Sequence, residues 1–139
     1  MNLVDELLKA DVKKAAELTT GEFKSKRLAK VLGKEEPVTV KIKELKPRRL
    51  NDILATQYRN NGHVDFSKTY DAKLLMCIEG VADPDLMNKD LQAYFGCASA
   101  KELAEFLFRS EASDIADAIT ELSGVVADEE KNEEEVKNS

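Results

Sequence analysis

The side chains of this chain that are best suited to chemistry are few and scattered. His63 is the single histidine; it follows Asn60-Asn61-Gly62, a turn signal, and reads as a loop residue with no second imidazole to share a metal. Cys77 and Cys97 lack CxxC spacing and a nearby histidine cluster, so both read as free thiols, Cys77 as a small core residue of a helix. Asp83 and Asp85 flank Pro84. Paired carboxylates can work as acid and base, yet next to a proline they more simply cap a helix and favour its positive end. The run Glu129–Glu135 could attract cations, but it has neither the glycine nor the alternating spacing of a calcium loop. No GxGxxG, GxxxxGK[ST] or HExxH is present. These residues therefore predict no catalytic, metal or cofactor-binding site. They point to a binding protein that is not an enzyme.

What can position a binding surface is a series of short, well-capped elements between Tyr70 and Gly124. Asp71 to Gly80 reads as a helix ending on glycine, and Val81 to Leu86 as a turn with Pro84 at a first helical position. Asn88 to Phe95 closes on Gly96. Ser99 and Glu102 form a capping box ahead of Leu103, Phe106 and Leu107. A last helix from about Glu111 puts Ile115, Ala118, Ile119 and Leu122 on one side and stops at Gly124.

Upstream, Asn2 to about Leu18 spaces Leu3, Leu7, Leu8, Val12, Ala15 and Ala16 as one amphipathic helix. Val38, Val40 and Ile42 alternate with polar residues and predict a strand. Its partner is expected in Phe23–Leu32, across Gly33-Lys-Glu-Glu36, as a β-hairpin over about 22–44, because a lone strand leaves its backbone groups unpaired. Phe23, Leu28, Val31 and Leu32 also fit one face of a short helix, but the hairpin is the reading taken. Pro47 starts another helix, with Leu50, Ile53, Leu54 and Tyr58 on one face, and Val64 and Phe66 are expected to tuck onto the core. The expected fold is thus α+β: a mainly helical domain of short capped helices with one β-hairpin. The division is an amphipathic N-terminal helix over 1–20, a globular domain over 21–126 and an acidic tail over 127–139. That tail has too little apolar surface to offset its ordering entropy and is expected to be mobile.

At 139 residues with a net charge of −6, the chain suits one domain with a modest core and a heavily solvated surface. No apolar run approaches the roughly 20 residues that a membrane span needs, and Met1-Asn-Leu-Val-Asp-Glu lacks the basic start of a signal peptide, which predicts a cytoplasmic protein. The charge is polarised: residues 1–50 carry 13 Lys/Arg against 8 Asp/Glu, and residues 51–127 carry 6 against 13. Between Lys24 and Arg49 lie 10 Lys/Arg. Such a hairpin could follow a phosphate backbone, but Phe23 is its only aromatic, so stacking platforms for single strands are missing. An acidic protein surface, or this chain's own acidic half, suits it better.

In this order the chain resembles the tail assembly chaperones of PBSX-type defective prophages of Gram-positive bacteria. The residues that carry the resemblance are Val38–Pro47, Arg49–Asn60, Gly80–Leu86, Asp90–Gly96, Ala100–Leu103 and Leu122–Gly124. The resemblance implies a small helical protein, made in the host cytoplasm, that holds tape-measure and tail-tube proteins during tail morphogenesis. A phage-encoded nucleic-acid-binding protein using the basic hairpin is the alternative. The candidate protein-binding residues are Leu3, Leu7 and Leu8 on the first helix, Lys24, Lys26, Arg27, Lys41 and Lys43 on the hairpin, and Phe106 and Leu107. An exposed apolar first helix would also suit a homo-oligomer. No cofactor is expected.

Overall fold

A computed structural model of the chain describes residues 2–124. The acidic stretch expected to be mobile lies outside the described residues. The chain begins with two short helices, α1 (Leu3–Leu7) and α2 (Val12–Ala16), where the spacing predicts one. Asn2 accepts from the Asp5 N–H at 3.0 Å, and Asp11 accepts from the Lys13 and Lys14 N–H groups at 2.9 and 3.2 Å. Asp11 therefore caps a second start rather than continuing the first helix. No side chain in either piece is buried, and helices this short gain little without tertiary packing.

Strand β1 (Thr20–Ser25) then pairs antiparallel with β2 (Val38–Lys43), with Phe23 opposite Val40 and Thr20 opposite Lys43. Between them the expected strand over Phe23–Leu32 is cut short, because Lys26–Leu32 forms helix α3. The Ser25 hydroxyl accepts from the Leu28 N–H at 3.0 Å, Leu28 and Ala29 face the core, and Gly33 at φ 69° closes the end. A capping serine and a 3.6-residue apolar spacing outweigh the hairpin reading here. The two strands remain neighbours across this helix.

Helix α4 (Pro47–Ala55) follows and buries Leu50 and Ile53. An isolated bridge between Tyr58 and Val64 and a 3-10 turn at Phe66–Lys68 lead to α5 (Thr69–Gly80). Val64 and Phe66 do not tuck onto the core: they are 37% and 84% exposed. The bridge pairs backbone instead, and Asp65 accepts from the Ser67 N–H and hydroxyl, which satisfies the loop locally.

After α5 the expected turn is a strand. β3 (Val81–Asp83) pairs with β2, Val81 opposite Ile42 and Asp83 opposite Lys41, giving the sheet order β1-β2-β3. The second edge of β2 needed a partner for its backbone groups. Pro84 is consequently not the first residue of a helix; Asp85 caps the Met87 N–H at 3.0 Å in the turn that follows. Helices α6 (Lys89–Tyr94), α7 (Ala100–Phe108) and α8 (Glu111–Leu122) complete the described chain. Ser99 accepts from the Glu102 N–H at 3.2 Å, and the Glu102 carboxylate accepts from Ala98 N–H at 2.7 Å, so the capping box forms with its return bond one residue upstream.

The core lies between the sheet and α4, α5, α7 and α8. Val40, Ile42 and Val81 from the sheet meet Leu74, Met76 and Cys77 from α5, Leu103 and Phe108 from α7, and Ile115 and Ile119 from α8. Gly80 is there for close approach: a Cβ on it would lie 2.5 Å from Ile119 Cδ1 and 2.8 Å from Cγ2. Glu111 ties the two ends of the domain together. Its carboxylate accepts from the Ser25 hydroxyl at 2.6 Å and from the Lys26 and Arg27 N–H groups at 3.0 and 3.2 Å, capping α3 from the first residue of α8.

Candidate protein-binding surface

A run of exposed apolar side chains lies in the first helices. Leu3, Val4, Leu7, Leu8 and Val12 are 67%, 63%, 63%, 81% and 80% exposed. Within α1 and its C-cap, Leu3 with Leu7 and Val4 with Leu8 stand one turn apart, so their side chains form a strip rather than isolated spots. Every residue from Asn2 to Leu18 is exposed. The segment therefore projects as an arm, and an apolar strip left in water favours a partner that covers it.

Several of the basic residues of the hairpin are interleaved with carboxylates, while Lys26, Lys30 and Lys34 line one cleft with Glu35. Lys24 donates to Thr39 Oγ1 and lies 3.9 Å from a Glu22 carboxylate oxygen. Lys41 stands in register between Glu22 on β1 and Asp83 on β3, and Lys43 is half-buried. Lys26 and Arg27 hold Glu111 through their backbone. Further along, Arg49 donates from Nε to both oxygens of Glu79, at 2.7 and 2.9 Å. Carboxylates thus interleave with the cations expected to track a phosphate backbone, which lowers the local positive potential that such binding needs.

A third group is aromatic. The Arg27 guanidinium sits 5.9 Å over the Phe106 ring, and its Nη2 donates to the Phe106 carbonyl at 3.1 Å. Phe95 packs 5.3 Å from Phe106, and Tyr94 meets Phe95 edge-on at 5.1 Å. Tyr94 is 83% exposed and Phe106 41%. Leu107, expected beside Phe106 as a contact, is buried at 4% and belongs to the core. Tyr94 was not singled out by the sequence, although neighbouring aromatics on one helix cannot both face inward.

Asp83 and Asp85 line a shallow cleft of about 560 Å³ with Asn88, Asp90 and Tyr94, and no histidine or cysteine lines it. His63 is exposed in its loop. Cys77 is fully buried, its thiol near the Ala112 carbonyl, and burial pushes its pKa up to about 12. That is a core position, poorly suited to a nucleophile. Among the described residues no group of three or more His, Cys, Asp or Glu is placed to hold a metal ion. None of their helices is long and apolar enough to cross a membrane.

No curated protein matches the chain. Among solved structures, the crystal structure of the protein yqbn is similar: 13% identity, a TM-score of 0.53, 80% of this chain and 91% of that one. At that identity the likeness is one of fold. A family model described as phage XkdN-like tail assembly chaperone protein matches residues 4–137, nearly the whole length. The chain belongs to the phage XkdN-like tail assembly chaperone family.

Proposed function

We propose that this protein holds tape-measure and tail-tube proteins in the host bacterial cytoplasm while a phage tail is built, and that it transforms no substrate. The observation that carries this reading is the arm, whose Leu3, Leu7 and Leu8 side chains are 63–81% exposed, none of them buried in the domain. Tail components that polymerise must expose apolar surface before they assemble. A reversible cover needs apolar side chains of its own, on a segment free to reach, beside a charged body that resists aggregation. We divide the chain for this purpose into the arm over 1–20, the domain over 21–126 and the acidic tail over 127–139. The row Arg27, Phe106, Phe95 and Tyr94 is the second contact surface. Lys24, Lys26, Lys41 and Lys43 supply rim charges that steer an acidic partner.

Co-expression tests the reading. The tape-measure or tail-tube protein is expected to become soluble and to co-purify with this chain, and to precipitate without it. If both stay insoluble, or both are equally soluble alone, the chaperone assignment to these partners fails. The nucleic-acid alternative is tested by titrating DNA and RNA at low salt, where phosphate contacts are strongest.

A further inference from the structure

We propose that two copies of this chain join through β1, edge to edge and antiparallel, to make one continuous sheet. β1 is an edge of the sheet, and among the described residues no strand pairs with its outer side. The Glu44 N–H donates to the Thr19 carbonyl at 2.7 Å. In antiparallel alternation, Gly21, Phe23 and Ser25 then turn their backbone groups toward β2. Thr20, Glu22 and Lys24 turn theirs outward. These outward N–H and C=O groups are a ready template for another strand.

Charge selects the occupant and the register. Outward-facing residues must meet outward-facing residues, so two registers overlap nearly the whole strand. One places Glu22 against Glu22 of the second copy, which is repulsive. The other puts Phe23 on a two-fold axis and sets Glu22 against Lys24 of the second copy, and Lys24 against its Glu22. Both side chains reach solvent: Glu22 is 60% exposed and Lys24 63%, 3.9 Å apart within one copy, and Lys24 exchanges its bond to Thr39 Oγ1 for the cross-strand pair. Phe23, half-buried in one copy, gains a second Phe23 in the non-hydrogen-bonded pair, where side chains approach most closely. The segment Glu22-Phe23-Lys24 is thus complementary to itself in the reversed direction. Neither helix of the arm reads onto this edge: α1 and α2 bury no residue.

This association is independent of any tail partner and is tested on the full chain alone. Sedimentation velocity from micromolar to submillimolar concentration, at low salt, is expected to show a monomer–dimer equilibrium that weakens as salt rises. Glu22→Lys and Lys24→Glu each make both cross-strand pairs repulsive and are expected to weaken the dimer by at least about tenfold. An equal mixture of the two variants, and the double exchange E22K/K24E, are expected to restore it, because opposite charges face each other again. Should a reversal unfold the domain, the neutral E22Q and K24Q substitutions repeat the comparison with a smaller loss. A monomer at every concentration overturns the proposal. So does a dimer indifferent to the charges, or one that neither the mixture nor the exchange rescues.

Discussion

Replacing Leu3, Leu7 and Leu8 together by serine separates a binding arm from a structural one. All three side chains are 63–81% exposed, so the free protein loses almost no buried surface, and its stability should stay within about 0.5 kcal/mol of the parent. A partner that buries them gains what remains to be removed from water. Full burial of a leucine is worth about 1.5–3 kcal/mol, and 63–81% of each side chain is still in water, or about 1–2 kcal/mol each. Three such residues give about 3–6 kcal/mol before the cost of ordering the arm, and about 2–4 kcal/mol after it. The triple variant should therefore bind its tail component about 30- to 1000-fold more weakly. Thermal unfolding of the free variant, with calorimetric titration of the co-purifying component, measures both quantities. A large fall in Tm would mean that the arm packs on its own domain; unchanged affinity would mean that the partner sits elsewhere. Either result refutes the reasoning.

Three further outcomes follow from the packing. Gly80→Ala drives a methyl into Ile119, whose side chain is fully buried and branched at Cβ; it should cost about 1–3 kcal/mol in urea unfolding, relieved in part by Ile119→Val, and a neutral substitution would disprove the close contact. Glu111→Ala orphans the Ser25 hydroxyl and the Lys26 and Arg27 N–H groups; a loss of about 2–4 kcal/mol is expected, with faster amide exchange at the start of α3, whereas exchange confined to α8 would show that the bond matters little. The Cys77 thiol has a higher pKa folded, about 12, than unfolded. Its contribution is complete below about pH 9, where the unfolded thiol is still protonated, and is lost as pH rises toward 12. Cys77→Ala should flatten that alkaline decline, and in the native parent a thiol reagent should label Cys97 well before Cys77.

The helices from Thr69 onward were legible from apolar spacing, and two of them also from their caps. Ser99 with Glu102, Asn88, and the stops at Gly96 and Gly124 do in the fold what their residue types permit, through bonds that span a few positions. The same holds for the family resemblance, which rests on an ordered series of such signals. Where two local readings competed, spacing could not choose. Phe23–Leu32 satisfied both a strand and a helix; Ser25 caps the helix locally, and Glu111, more than 80 residues away, adds bonds to Ser25 and Arg27 at the same break.

Other features belong to tertiary contact alone. Gly80 reads as a helix stop in sequence, but its function is to let α5 approach Ile119. Val81–Asp83 looks like a turn until β2 offers it a ladder. The exposure of Leu3, Leu7 and Leu8 beside the burial of Leu107 is invisible in composition, since all four are leucines at helical spacing. Sequence determined which segments could be helical, where they are capped, and that the chain carries an apolar amphipathic start. Only the folded arrangement decided which apolar faces found a partner inside the molecule. A finite core covers some faces and leaves the others in water, and no local pattern records how much room that core has.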